Sequence, residues 1–292
     1  MYMKKTVFFL FSLFLLIISC KEKVIKKENQ QPKTEKRKST KAPNVSILKK
    51  EFIIADLNDI SHKIWLYLPP DYETSKGNYP VIYMHDAQNL FDDATSFVGE
   101  WGIDETLNQL YKKTRKSFIV VGVENGGAKR IEEYTPWKHQ KYGGGKGAIY
   151  VDFLANQLKP YIDANYRTKP EATQTAIIGS SLGGLISFYG GLKYPNVFGN
   201  IGALSTSFWF SDNVLDFAKE NANQQNTKLY LLVGGKEGDS MVPDTENMAN
   251  LLLNEGFKKE HLKTKIVPEG RHTESFWKTE FIAVNGFNEE LI

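Results

Sequence analysis

Residues 175–189, TAIIGSSLGGLISFY, hold the feature that most constrains this chain. A β-branched run at residues 175–178 meets a cluster of tiny residues, and an apolar, helix-like run follows at residues 182–192. Gly179-x-Ser181-x-Gly183 fits the strand-turn-helix pattern G-x-S-x-G. The spacing has a steric cause. A serine at the apex of so tight a turn sits in strained backbone with its hydroxyl pushed outward. The residues two before and two after it must be tiny, because strand and helix nearly touch. The turn also sets Ser181 at a helix N-terminus, where free N–H groups and the positive dipole end favour a developing oxyanion. Such a serine needs a base and an acid from elsewhere in the chain.

The flanking pattern supplies strands and helices in alternation. Residues 51–57 and 62–68 read as a paired set of strands, and residues 80–85 and 117–123 as buried strands. Residues 101–113 carry helical spacing, and residues 149–165 form a helix that Pro160 bends or ends. Residues 124–148 look irregular. After the apex come strands at 200–204, 228–233 and 262–267, with helices at 212–221, 243–254 and 273–281. Strands separated by helices of this length pair in parallel through right-handed crossovers. The expected architecture is α/β: an α/β-hydrolase fold with a mostly parallel central sheet, helices on both faces and an antiparallel N-terminal strand pair. In that order the acid and the base follow the serine, on loops after later strands.

Both later strands end in the required residue types. After residues 228–233 the chain reads GGKEGD, which offers Glu237 and, as the alternative acid, Asp239. After residues 262–267 it reads PEGRH, which offers His272 as the base. A carboxylate there would hold the imidazole in the right tautomer and stabilise its cation. His62, His85, His139 and His261 have blander placements. The oxyanion donors are expected from the N–H of Leu182 and from the loop after residue 85, at Ala87 and Gln88. Asp86 and Asn89 supply two oxygens with no further ligand at metal spacing, so neither a metal nor a cofactor is expected. Trp137, Phe208 and Trp209, with Tyr142 and Phe210, are candidate walls for an acyl group or platforms for a ring. Residues 138–148, with four glycines and three lysines, are a candidate lid whose lysines could draw an anionic substrate.

Charge divides the chain of 292 residues. Residues 21–50 hold eleven Lys/Arg against three Asp/Glu, a net +8. Residues 51–292 hold twenty-four against thirty-one, a net −7. A nucleic-acid-binding domain would carry its basic patch on the fold, so no nucleic-acid partner is expected. Lys4 and Lys5 precede an almost wholly apolar stretch at residues 6–19, and Cys20, the only cysteine, follows it. This resembles a bacterial lipobox. The expected organisation is a lipoprotein signal peptide at residues 1–19, a lipidated Cys20 with a disordered basic tether at 20–45, and one domain at 46–292. The expected location is the bacterial cell envelope, with the membrane as a partner through the lipid.

Five spaced stretches carry a family resemblance: HDAQNLF at residues 85–91, RIEEYTP at 130–136, DFLANQLKPYID at 152–163, GSSLGG at 179–184 and SFW at 207–209. Together they resemble the family named Putative esterase. It includes esterase D, enterochelin esterases, and feruloyl and acetyl esterases, with mycolyl transferases more distant. The resemblance implies Ser181 as nucleophile, His272 as base and residues 86–88 at the oxyanion. Ala87 stands where the family usually has glycine, and Arg271 where glycine commonly precedes the histidine. The expected activity is hydrolysis of an extracytoplasmic carboxylic ester through an acyl-enzyme. An acyl ester on a carbohydrate ranks ahead of a siderophore lactone, on location alone. The rival from another class is a non-catalytic lipoprotein that binds a glycan or siderophore. Acyl transfer to a sugar would use the same residues.

Overall fold

Alternation of buried side chains builds the centre of the molecule. The structure is a computed structural model that describes residues 37–57, 60–223 and 226–286. Its strands are β1 (Val45–Ile47), β2 (Phe52–Ile53), β3 (Ser61–His62), β4 (Ile64–Tyr67), β5 (Val81–His85), β6 (Ile119–Val123), β7 (Lys138–His139), β8 (Gly143–Gly144), β9 (Thr175–Ser180), β10 (Asn200–Leu204), β11 (Lys228–Gly234) and β12 (Leu262–Val267). Eight of them form one sheet in the order β1-β4-β6-β5-β9-β10-β11-β12. Pairing is antiparallel at β1-β4 and β4-β6, and parallel from β6 to β12. In β5, Val81 and Tyr83 enter one core, while Ile82 and Met84 enter the other. In β4, Ile64 and Leu66 divide from Trp65 and Tyr67 in the same way. A period of two with both faces apolar is what a sheet covered on both sides requires.

The helices are α1 (Ile103–Thr114), α2 (Arg130–Tyr134), α3 (Gly147–Phe153), α4 (Lys159–Asn165), α5 (Leu182–Lys193), α6 (Asn213–Asn221), α7 (Met241–Asn254) and α8 (Glu274–Gly286). Helices α3 to α7 pack on one face, while α1 and α8 cover the other through Ile103, Leu107, Trp277 and Phe281. Eleven of the twelve residues of α5 are buried, which explains its almost unbroken apolar sequence. This is the expected α/β-hydrolase fold. No helix among the described residues is long and apolar enough to cross a membrane.

Three expectations change. The pairing of residues 51–57 with 62–68 shrinks to a short β2-β3 ladder, and Ile64–Tyr67 joins the main sheet instead. Residues 124–148 are not irregular: they hold α2 and a β7-β8 hairpin. Pro160 neither ends nor breaks its helix. A π-turn at Leu154–Leu158 joins α3 to α4 just ahead of it, and the helix runs on through the proline.

Order also begins earlier than residue 46. The leader, Cys20 and most of the expected tether lie outside the described residues. From Arg37 onward the chain is laced to the loop before α1. Arg37 pairs with Asp93 at 3.1 Å and donates to the Ser96 carbonyl oxygen. Ser39 Oγ donates to Asp92 at 2.7 Å, and the Ala42 N–H donates to Asp104 at 2.7 Å. Asp104 is fully buried beside Glu105, and burial lifts its carboxyl from 3.8 to about 7, despite the Ala42 N–H.

An acid raised in this way binds more protons folded than unfolded. Its stabilising share is complete below its ordinary pKa and is lost as pH rises through the raised one. Asp104→Asn keeps the acceptor for Ala42 and removes the buried charge. It should therefore gain about 2 kcal/mol at about pH 8 and nothing at about pH 4. Thermal melts at the two pH values check this, and a variant less stable than the wild type at the higher pH would refute it.

Candidate active site

The serine sits at the apex its sequence requires. Ser181 has φ 58° and ψ −123°, a region that costs roughly 1–3 kcal/mol for a residue with a side chain. Neighbouring backbone holds it there. The Ser181 N–H donates to the Leu204 carbonyl at 2.9 Å, and its own carbonyl accepts from Ser207 at 3.2 Å. A Cβ on Gly179 would lie 2.5 Å from the Gly183 carbonyl oxygen, so the strand and helix leave no room for one. Ser180 ends β9 one residue before the apex and is buried. The Ser181 hydroxyl is 3.4 Å from that of Ser207.

The expected base and acid come from the ends of β12 and β11. His272 Nδ1 and Glu237 Oε2 are 2.9 Å apart, and the Glu237 side chain is completely buried. The other Glu237 oxygen accepts from Ser205 Oγ at 2.6 Å and from the Gly234 N–H at 2.8 Å. Ser205 Oγ accepts in turn from Trp277 Nε1 at 2.8 Å. Trp277 stands edge-on to the His272 ring, with centroids 5.0 Å apart. The acid is thus fixed on both oxygens, and the imidazole is held from below and from the side. The two loops lie so close that a Cβ on Gly234 would meet the Gly270 carbonyl group at 2.4 Å. Asp239 is exposed and makes no side-chain hydrogen bond among the described residues, so the carboxylate on His272 is that of Glu237.

The loop expected to hold the oxyanion follows β5. Asp86 adopts the left-handed conformation, φ 55°, and opens a single 3-10 turn at Ala87–Asn89. Its N–H donates to the Tyr134 hydroxyl at 3.0 Å, leaving the opening N–H groups of Ala87 and Gln88 as the donors of this turn. Leu182 opens α5, so its N–H likewise has no partner within its helix. Ala87 is fully buried with its methyl in the core, so replacing glycine there narrows nothing at the cavity.

Arg130 locks the turn with a two-pronged bond to Asp86, 2.7 and 2.8 Å, and Asn125 adds a third bond at 2.5 Å. Burial would raise the Asp86 carboxyl, but Arg130 and Asn125 outweigh it and hold it below its ordinary value. Beneath the turn, His85 Nδ1 meets the Tyr150 hydroxyl at 2.9 Å. Burial drives that imidazole down to about 3, so His85 is neutral and is not the base. Asn89 is engaged too, its side-chain oxygen accepting the Phe97 N–H at 3.0 Å.

Ser181 and His272 line one cavity of about 830 Å³. The oxyanion side contributes Asp86, Gln88 and Arg130, and an apolar wall comes from Leu90, Phe97, Val98, Trp101 and Trp277. A serine hydroxyl and an oriented imidazole at one opening, with N–H groups free at the start of two neighbouring turns, can together carry acyl transfer.

A model of the family described as Putative esterase matches residues 59–287. This chain belongs to that family. The esterase is 28% identical to the Bacillus subtilis protein YbbA over 236 residues, covering 76% of this chain and 90% of YbbA. It is 25% identical to the iron(III) salmochelin esterase of Escherichia coli over 238 residues, which is 76% of this chain and 53% of that one. Among solved structures, the enterobactin esterase of Shigella flexneri superposes with a TM-score of 0.66 at 18% identity, over 86% of this chain and 60% of that one.

The aromatic residues expected at the substrate fall elsewhere in the esterase. Trp137 packs edge-on against Tyr189 and Phe217, and Phe208 against Phe188. Trp209 is half exposed, beside Tyr142. None of the three lines the cavity. The rings of Trp137 and Phe208 complete the face covered by α5 and α6, which loop position alone could not show. The candidate lid is a short hairpin whose Lys146 lies 3.6 Å from Glu132, and its residues do not line the cavity either.

Several side chains of the candidate site went unread in the sequence. Ser205, with φ 46°, is a further residue of positive φ at a strand end, beside Asp86 and Ser181. The run of small hydroxyl residues after β10, Ser205-Thr206-Ser207, was the available signal. Trp277, five positions after His272, lay within the expected last helix. Phe97 and Val98, 86% and 61% exposed, mark the rim, and two adjacent apolar residues in a polar loop were the clue.

Proposed function

We propose that this esterase is a serine hydrolase that cleaves a bulky small-molecule ester of the siderophore type through an acyl-enzyme. One observation carries the mechanism: a serine on a strained apex opens into the same cavity as an imidazole whose far nitrogen is bonded to a buried carboxylate. His272 Nε2 takes the Ser181 proton as Oγ attacks the ester carbonyl. The N–H groups of Leu182, Ala87 and Gln88 receive the oxyanion. The alcohol leaves with the proton from His272, and water then releases the acyl group by the same steps.

The size of the cavity and the likeness to esterases named for salmochelin and enterobactin favour the siderophore class over a carbohydrate ester. The location rests on the charged, apolar and cysteine pattern of residues 4–20, which supports an exported protein anchored through a lipid on Cys20.

The test is product analysis by mass spectrometry, using membrane and soluble fractions from cells that express the wild type or Cys20→Ser. The substrates are a cyclic siderophore triester, acetylated xylan and a feruloyl ester. Cleavage of the siderophore ester by the membrane fraction, moving to the soluble fraction with Cys20→Ser, is expected. Cleavage of the xylan or feruloyl ester alone would replace the substrate class. Activity that stays with the membrane in Cys20→Ser would remove the anchor.

A further inference from the structure

The charges around the cavity do not cancel. Its lining holds Asp86, Glu124, Glu274 and Arg130, besides His272. Arg130 spends its two-pronged bond on Asp86. Glu124 accepts from Trp65 Nε1 at 2.8 Å and stands 3.7 Å from Lys63. Glu274 is the residue left over. It opens α8 two positions after His272, and among the described residues it has no ion pair and no partner side chain. It faces Asp86 and His272 at electrostatic range, with Arg130 as the one shared cation. The set Asp86, Arg130 and Glu274 therefore keeps one uncompensated negative charge.

The helix start favours a carboxylate at this position and explains in part why one is tolerated. It does not explain why the side chain faces a half-buried cavity where desolvation raises its pKa. The surroundings give a reason. Trp101, Trp277 and Phe97 line the same space, and a Cβ on Gly99 would lie 3.8 Å from that of Glu274, so the apolar rim is against it. An unpaired carboxylate on an apolar-walled cavity is an arrangement that holds an organic cation by charge.

We propose that Glu274 is a specificity determinant that receives an ammonium group of the substrate beside the scissile ester and disfavours anionic esters. The inference rests on the esterase reading and narrows it. Among siderophore-type esters it selects amine-bearing or uncharged complexes over polyanionic ferric catecholates.

Three matched butyrate esters test it: of choline, of its neutral isostere 3,3-dimethylbutanol, and of 4-hydroxybutyrate, which carries a carboxylate. The readout is the ratio of kcat/KM between esters within one protein preparation, so a general loss of activity cancels. The wild type should favour the choline ester over the anionic one by at least about tenfold, with the neutral ester between. Glu274→Gln should bring the ratio to about twofold, and Glu274→Lys should invert it. Raising salt should narrow the wild-type ratio, because the cavity is open to screening. An unchanged ratio in Glu274→Gln, or a wild type that prefers the anionic ester, overturns the proposal. Cleavage without discrimination, or no cleavage of the three by a protein that still cleaves the cyclic siderophore triester, sinks this inference alone, whereas failure on all four esters takes the esterase reading with it.

Discussion

Ser181→Ala should lower kcat by roughly 10⁴–10⁶-fold on any ester the wild type cleaves. The loss is this large because serine and imidazole act as one unit. Without Oγ, no covalent intermediate forms, and only binding and the N–H donors of Leu182, Ala87 and Gln88 remain. The fold should survive. Ser181 makes one side-chain contact, to Ser207 at 3.4 Å, and the apex is held through backbone bonds that alanine keeps. A fluorophosphonate probe should label the wild type and leave Ser181→Ala unlabelled. Equal labelling of both would move the nucleophile elsewhere, and labelling of neither would leave a binding protein on a hydrolase scaffold.

Glu237→Gln should reduce kcat by roughly 10²–10⁴-fold with little change in KM. The buried carboxylate is a pure acceptor, and it is filled on both oxygens by Ser205, Gly234 and His272. An amide there must turn an N–H toward one of these donors. Turned toward His272, it imposes the wrong tautomer, so Nε2 carries a proton and cannot take one from Ser181. Turned toward Gly234 and Ser205, it clashes with two donors in a site closed to water and loses stability as well. Asp239→Ala is the comparison, expected within about twofold of the wild type because it is a surface substitution. Steady-state kinetics on the three proteins decide the matter. Near-normal kcat in Glu237→Gln would mean that Ser181 and His272 work as a pair with no third member.

The sequence made the chemical centre legible because it obeys steric rules. Position 179 has no room for a Cβ, although one at 183 would make only ordinary contacts, and the order serine, acid, histidine at strand ends follows from topology. The choice of Glu237 over Asp239 needed coordinates, since a two-residue difference in a glycine-rich loop decides which carboxylate turns inward. Aromatic loop residues misled for a similar reason. Trp137 and Phe208 obey the same hydrophobic preference whether they wall a cavity or cover a helix, and position in the chain does not separate the two. The clamp of Arg130 on Asp86 joins residues forty-four positions apart, so no local pattern announces it. Ser205 was hidden because a buried serine looks like any loop serine until Glu237 and Trp277 are seen on either side of it.

The strap from Arg37 to Ala42 has a practical consequence for handling the molecule. It enters the domain along the loop that carries Phe97 and Val98, so the point of attachment and the mouth of the cavity share one edge. A tag joined directly at Arg37 would start beside the doorway, and large substrates would meet it on their way to Ser181.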